Sequence, residues 1–380
     1  MYNFDNAPCR AGSDSVKWHV VQDGVLPMWV ADMDLSAPPP VVEAIAARAA
    51  HPCYGYPYTD ELLKDVVAAH YEKTYGVKVP AEWIVWVPSV IPGVAAAMEM
   101  TGGAFMYSVP MYDHIRRLYA ETGMPVIEVP MKRDENYRYT LDIPALEAAL
   151  TPEVTMLLLC NPHNPVGRVF SKEELLELYA FCEKHGLLVI SDEIHCEFAL
   201  DVPHTPFFAV SEAAAQNSIT VSSAGKICNI PGLPMGFAII PNGELRAKFE
   251  RQQDGLQACP NVITLAAYEK AYDGSCDVWK EELRDYLRIN RDLCEETFGK
   301  FPELKFPHNE GTYLLWVDCS ALGVEDPAAF FLEKARFRVN SGDMYGDSQF
   351  IRFNYGCTHA QVTEALARME KALLEWKAGR

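Results

Sequence analysis

A lysine, an aspartate, a histidine and an asparagine stand at the polar ends of three apolar runs in the middle of this chain. The runs are TMLLLCNPHNP (155–165), GLLVISDEIH (186–195) and SITVSSAGK (218–226), and they carry Asn164, Asp192, His195, Ser222, Ser223 and Lys226. A lysine on a random surface is a solvated charge. Lys226 differs because it follows a buried run and a Ser-Ser-Ala-Gly turn and precedes the apolar ICNIPGL. A partly desolvated amine has a lowered pKa and condenses with an aldehyde. Asp192 closes an all-apolar run, where an unpaired carboxylate is costly, so it needs a cation; a protonated pyridine nitrogen is one. Asn164 is placed to donate to a ring oxygen, whereas Asn161 reads as the shaper of a proline turn. An amide, a carboxylate, an imidazole, hydroxyls and an amine collected in this way suit a phosphorylated aromatic aldehyde.

The elements that must position these groups are legible nearby. Each run is rich in Leu, Ile and Val and too short for a lone helix. Between the first two lies SKEELLELYAFCEKHG, with a capping box at Ser171 and Glu174, apolar residues at helical spacing and Gly186 as its stop. That is a β-α-β unit with buried parallel strands. Ligands of open α/β sheets sit beyond the carboxyl ends of the strands, where these residues fall. Upstream, EWIVWV (82–87) reads as a strand, then Pro88-Ser89-Val90-Ile91-Pro92 leads into the small-residue helix GVAAAMEM. Backbone N–H groups at such a helix start bind phosphate, and a proline near the first turn costs little.

The first 45 residues read as an arm, with VLPMWVADMDLSAPPP too rich in proline for regular structure. Residues 46–280 alternate strands and helices as a large doubly wound domain should. From about 281 a long polar helix leads into the strand-like TYLLWVDCS and QFIRFNYGC, and the chain closes on an amphipathic helix with Val362, Leu366, Met369 and Leu373 on one face. The expectation is a three-layer, mostly parallel α/β sheet domain with a smaller α+β C-terminal domain, 281–380, on which part of the arm packs.

Composition excludes several classes. The 380 residues carry a formal charge of −19, which repels nucleic-acid phosphates. No apolar run approaches membrane-spanning length, and the start of the chain lacks the basic-then-apolar order of a signal peptide. The eleven cysteines show no CxxC pair or zinc-finger spacing; Cys160, Cys196 and Cys319 lie in or beside apolar runs and read as reduced core residues. A cytoplasmic enzyme with no metal fits these features.

NPHNPVG, SDEIH and SSAGK together resemble the signature of fold-type I pyridoxal-phosphate enzymes of the class I/II aminotransferase superfamily. The resemblance runs nearly the whole length. Five segments, MWVADMDLSAPPP, PSVIPG, DEIH, KICNIPGL and FIRFNYGC, are similar to the MalY/PatB-like branch of cystathionine β-lyases and cysteine C–S lyases. The resemblance implies pyridoxal 5'-phosphate held covalently by Lys226, which later takes the substrate Cα proton. It implies that Asp192 keeps the pyridine nitrogen protonated, and that His195 and Asn164 contact the ring's phenolic oxygen. Tyr112, in VPMYDHI, would stack on the ring. Ser89, Val90 and Ile91 would cradle the phosphate, with Ser223 adding a hydroxyl. Tyr56, in YGYP, would reach the phosphate of a second subunit, making a homodimer with shared sites. Arg352 would grip the substrate carboxylate in the two-pronged way only a guanidinium allows.

Two positions depart from the pattern. Gly225 stands where a hydroxyl residue usually precedes the lysine, and Pro234 where an arginine or threonine is usual. Both remove donors to the phosphate. TGGAFMYSVP (101–110) also makes a short connection between the small-residue helix and the next strand. The expected reaction is α,β-elimination of a thiol from an L-cysteine thioether such as cystathionine. An aminotransferase of the same fold, and a cofactor-holding regulatory protein that acts by binding another protein, are the alternatives.

Overall fold

The computed structural model describes residues 1–58, 61–112, 114, 115, 117, 123–253 and 260–379. Its largest sheet is built from β1 (Ile84–Val87), β2 (Ala104–Val109), β3 (Val126–Pro130), β4 (Val154–Cys160), β5 (Leu188–Asp192), β6 (Ser218–Ser222) and β7 (Gly236–Ile239). The spatial order is β1-β7-β6-β5-β4-β2-β3. β3, β2, β4, β5 and β6 run parallel, and β7 inserts antiparallel between β1 and β6. Residues of β4, β5 and β6 are buried on both faces, which explains their unbroken apolar runs. The fold is therefore the three-layer, mostly parallel α/β sheet that the strand–helix alternation predicts.

The helix between β4 and β5 spans Lys172–His185, and its capping box is complete: the Ser171 hydroxyl accepts from the Glu174 N–H, and the Glu174 carboxylate accepts from the Ser171 N–H. Gly186 closes it in the left-handed region at φ 66°. The small-residue helix spans Val90–Thr101 and starts directly after β1. Its connection to β2 is compressed to Gly102 and Gly103, both at positive φ. A Cβ on Gly103 would lie 2.7 Å from Thr155 Cγ2 and 2.8 Å from the Glu153 carbonyl, so only glycine fits.

A second sheet, β8 (Leu314–Asp318), β9 (Asn340–Ser341) and β10 (Phe350–Asn354), is antiparallel with β10 in the middle. The closing helix, His359–Ala378, buries Val362, Leu366, Met369 and Leu373 as its spacing predicts. The N-terminal segment is more regular than its prolines suggest. Leu26–Pro27 pairs in parallel with Phe337–Arg338, and a helix spans Pro39–Ala50 with its prolines in the first turn, where a missing N–H costs nothing. The boundary expected at 45 falls inside that helix, and the one at 280 inside the long helix Asp277–Gly299. Cys160, Cys196 and Cys319 are buried free thiols. No helix among the described residues is long and apolar enough to cross a membrane.

Candidate active site

The carboxyl ends of β4, β5 and β6 open into a cavity of about 230 Å³. Asn164, Asp192, His195, Ser223 and Lys226 line it from the strand ends, and Ser89, Val90 and Ile91 from the start of the Val90–Thr101 helix. Tyr112 lines it from beyond β2. Residues separated by more than 130 positions are thus collected because parallel strands all deliver their carboxyl ends to one edge.

Lys226 is partly buried and lies in the cavity wall. Its Nζ donates to the Ala31 carbonyl at 2.6 Å. Enclosure, reinforced by the nearby Arg352 guanidinium and opposed by Asp32 and Asp192, lowers its pKa to about 8. Asp192 is 3% exposed, and one carboxylate oxygen accepts from the Ile194 N–H at 3.0 Å. Burial raises it to about 6 despite that bond. No ion pair among the described residues engages Asp192 or Lys226. His195 is buried with Nδ1 lacking any partner. Burial, with Lys226 and Arg352 close by, holds its imidazole well below the usual range and hence neutral.

At the helix start, Ser89 is extended and no side chain caps the first turn, so the leading N–H groups face the cavity without a competing acceptor. Ser223 is more committed than expected. Its hydroxyl donates to the Met235 carbonyl at 2.7 Å, accepts from the Gly225 N–H at 3.0 Å and meets the Tyr268 phenol at 2.6 Å. Ser222 turns away from the cavity to the Glu193 carbonyl. A Cβ on Gly225 would come within 3.2 Å of Ser223 Oγ, so a hydroxyl residue there would press on this bond. Pro234 lines the cavity. Asn161 is buried, and its Oδ1 accepts from the Phe170 N–H at 3.0 Å.

Arg352 lies mid-strand in β10, opposite Trp316 and Asn340, and is 2% exposed. It is therefore not a solvated edge arginine. Nη1 donates to Asn164 Oδ1 at 3.1 Å and Nη2 to the Trp29 carbonyl at 2.9 Å, while Nε has no partner. No carboxylate among the described residues pairs with it. Its guanidinium stands 5.0 Å from the Tyr345 ring. Tyr56 is not part of this cavity. It is fully exposed beside Tyr54 and Tyr58, along a separate hollow of about 500 Å³ lined also by Arg48, Leu62 and Val262.

This cavity, with its partly buried lysine and buried aspartate at adjacent strand ends, coincides with a match along the chain to the sequence profile of aminotransferase class I and II, over residues 25–369. The chain belongs to that family. Among the proteins it is similar to is the cystathionine beta-lyase PatB of Bacillus subtilis, 35% identical over 98% of this chain and 100% of PatB. Protein MalY of Escherichia coli is 30% identical over 98% of this chain and 99% of MalY. The crystal structure of cystalysin from Treponema denticola, which contains a pyridoxal 5'-phosphate cofactor, is 29% identical with a TM-score of 0.93, covering 99% of each chain.

Ala31, Tyr268 and Tyr313 were not singled out by sequence reasoning. Ala31 and Tyr268 line the cavity, and the Tyr313 phenol shares the Ala31 carbonyl with Lys226 at 2.8 Å. Ala31 sits inside the quoted segment MWVADMDL, which was the available signal. The two tyrosines lie in ordinary apolar surroundings and carry none.

Proposed function

We propose that the chain is a pyridoxal-phosphate-dependent carbon–sulfur β-lyase that cleaves the Cβ–S bond of an L-cysteine thioether. The observation that carries this reading is one cavity holding a depressed-pKa lysine, a buried carboxylate without a cation and a neutral histidine, with a buried guanidinium that has no carboxylate directly behind it. Each lacks the partner that this cofactor and an amino-acid substrate would bring.

The cofactor, when bound, supplies an aldehyde for the amine and a ring that accepts the electron pair of the substrate Cα–H bond. Lys226 would hold the cofactor and, as a free amine, would take the substrate Cα proton on Nζ. A base whose pKa is near 8 does this at neutral pH without a strong driving penalty. Asp192 keeps a proton on the pyridine nitrogen, and that pairing removes the cost of its own burial. His195 Nδ1 and the Asn164 amide are the groups available to the phenolic oxygen. The N–H groups of Val90 and Ile91 and the Ser89 turn would hold the phosphate, and Tyr112, which lines the same cavity, would pack on the ring. Arg352 binds the substrate carboxylate and thereby aligns the Cα–H bond for proton removal. The thiolate leaves as the Cβ–S bond breaks, and one water is consumed to give pyruvate, ammonia and the thiol, which is homocysteine when the substrate is cystathionine.

The same proposal includes a two-lobed chain, arm 1–45, large domain 46–280 and small domain 281–380, acting in the cytoplasm as a homodimer. The exposed Tyr54, Tyr56 and Tyr58 support the dimer: they are large aromatic side chains on an open surface, and Tyr56 would complete the phosphate site of the second subunit. The deciding experiment is pyruvate release from L-cystathionine by the cofactor-loaded protein with no keto acid present. Catalytic pyruvate supports the lyase. Absence of pyruvate with cystathionine and with cystine, alongside amino transfer to an added keto acid, would assign the aminotransferase alternative.

A further inference from the structure

Three of the segments that set this chain apart in sequence, MWVADMDL, KICNIPGL and FIRFNYGC, meet in space over the cavity. From the 28–35 segment Ala31 lines the cavity, and all of the segment's carbonyls but that of Asp34 accept from the other two segments, with Lys17 Nζ also on Asp32, Arg10 Nη1 on Met33 and the Tyr313 phenol on Ala31. Those of Trp29 and Ala31 accept from Arg352 and Lys226, the two cations of the site. Those of Val30 and Asp32 both accept from Asn354 Nδ2. The carbonyls of Met33 and Leu35 both accept from Asn229 Nδ2 at 2.8 Å, while Asn229 Oδ1 accepts from the Met33 N–H at 3.0 Å. The Met28 carbonyl takes the Asn354 N–H.

The alternation has a geometric origin. Residues 30–32 form a bend, and along it the carbonyls of residues 29 and 31 meet the two cations while those of 30 and 32 meet Asn354. Asn354 lies two residues beyond Arg352 on the same strand, hence on the same face. It grips the carbonyls of Val30 and Asp32, on either side of the Ala31 carbonyl that meets Lys226. Asn229 lies three residues after Lys226, in the left-handed region at φ 53°, a conformation asparagine tolerates. Its three bonds fix the register at the other end. Asn354 is fully buried and its Oδ1 accepts from the Gly356 N–H at 2.7 Å, so its amide is satisfied on both atoms.

We infer that Asn229 and Asn354 are positioning residues: they set the register of the 28–35 segment so that the Ala31 carbonyl restrains the Lys226 amine and the Trp29 carbonyl orients Arg352. A carbonyl acceptor favours the ammonium form of Lys226, so loosening the segment frees the neutral amine at lower pH. The other groups facing Lys226 are Arg352 on β10, Asp192 at the end of β5, His195 just after it, Asp32 on the segment itself, and the phenols of Tyr112, Tyr268 and Tyr313. Displacing Asp32 with the segment acts in the same direction, because its charge raises Lys226.

The test uses Asn229→Gly, which keeps the positive φ, and Asn354→Ala, both charge-neutral. In the cofactor-free protein, hydrogen exchange is followed at the backbone N–H groups of residues 28–34, and acetylation of Lys226 by dilute anhydride is followed by mass spectrometry across pH. The expected result is exchange about tenfold faster in the segment and a Lys226 midpoint lowered by roughly half to one pH unit, in line with the loss of one or two hydrogen bonds. In the loaded enzyme KM for the amino acid rises about tenfold with kcat within about threefold, a step that alone rests on the lyase reading. An unchanged midpoint in a folded Asn229→Gly protein overturns the inference, whether or not exchange has accelerated. If Asn354→Ala does not fold, Asn229→Gly decides alone. Loss of the lyase reading leaves the exchange and acetylation results standing.

Discussion

Arg352 Nη1 donates to Asn164 Oδ1 at 3.1 Å, joining the middle strand of the small sheet to the end of β4 across 188 positions of sequence. Under the proposed function, the contact would place the guanidinium that binds the substrate beside an amide that faces the cofactor. The Asn164 amide nitrogen would then be the group that donates to the ring oxygen. On that reading, substrate and cofactor recognition would be coupled through this one hydrogen bond.

Replacing Arg352 with lysine should test that coupling. An ammonium retains the charge but loses the planar fork, so KM for the amino acid should rise roughly 10- to 100-fold, as expected when a charge-assisted bidentate contact is lost. Arg352→Ala should do at least as much and should also weaken cofactor retention, because Asn164 loses its anchor. Steady-state kinetics with cystathionine, together with cofactor dissociation followed by absorbance, separates the two effects.

Lys226→Ala should leave cofactor and amino acid able to enter while abolishing proton removal from Cα. The expected loss in kcat is about 10³-fold, the usual scale for a general base. Single-turnover measurement of Cα–deuterium exchange with solvent would locate the loss at that step; exchange at the wild-type rate would refute the assignment of Lys226 as base.

The pH dependence of stability in the cofactor-free protein follows from the two perturbed groups. Asp192 is raised from 3.8 to about 6, so the folded state binds the extra proton between these values and stability falls as pH rises through that window. Lys226 is lowered from 10.5 to about 8, so the unfolded state binds the extra proton between pH 8 and 10.5 and stability rises across that window. Near pH 7 both groups are charged and both oppose folding. Asp192→Asn should therefore stabilise the cofactor-free protein at pH 7, by roughly 3 kcal/mol at most, and do nothing near pH 3. Urea titrations at the two pH values check this. The same substitution should weaken cofactor binding.

Gly103→Ala should destabilise without touching the cavity. The residue sits at φ 80°, and its new methyl group would meet Thr155 Cγ2 at 2.7 Å and the Glu153 carbonyl at 2.8 Å. Strain of this kind costs about 2–4 kcal/mol. The expected signature is a lower urea midpoint with an unchanged KM.

Local chemistry was largely legible. The Ser171–Glu174 box, the Gly186 stop and the unbroken apolar runs of β4, β5 and β6 are short-range patterns, and each formed where its residues stand. The start of the Val90–Thr101 helix was legible for the same reason. The Pro39–Ala50 helix was not, because its prolines read as breakers although they occupy the first turn. Ser223 was legible as a cavity residue but not as a hydroxyl already shared among Met235, Gly225 and Tyr268, partners as far as 45 positions away.

By itself the sequence determined which residues end the buried strands, hence that Lys226, Asp192, His195 and Asn164 share an edge, because strand period, caps and turns act over a few residues. Only the tertiary structure decided that β7 enters antiparallel between β1 and β6, that Arg352 is buried rather than solvated, and that carbonyls from residues 29 and 31 meet the site's two cations. Those contacts join residues 195 and 323 positions apart. No local pattern encodes them, since they arise from the packing of the arm and small sheet over the cavity once every buried donor and acceptor must find a partner.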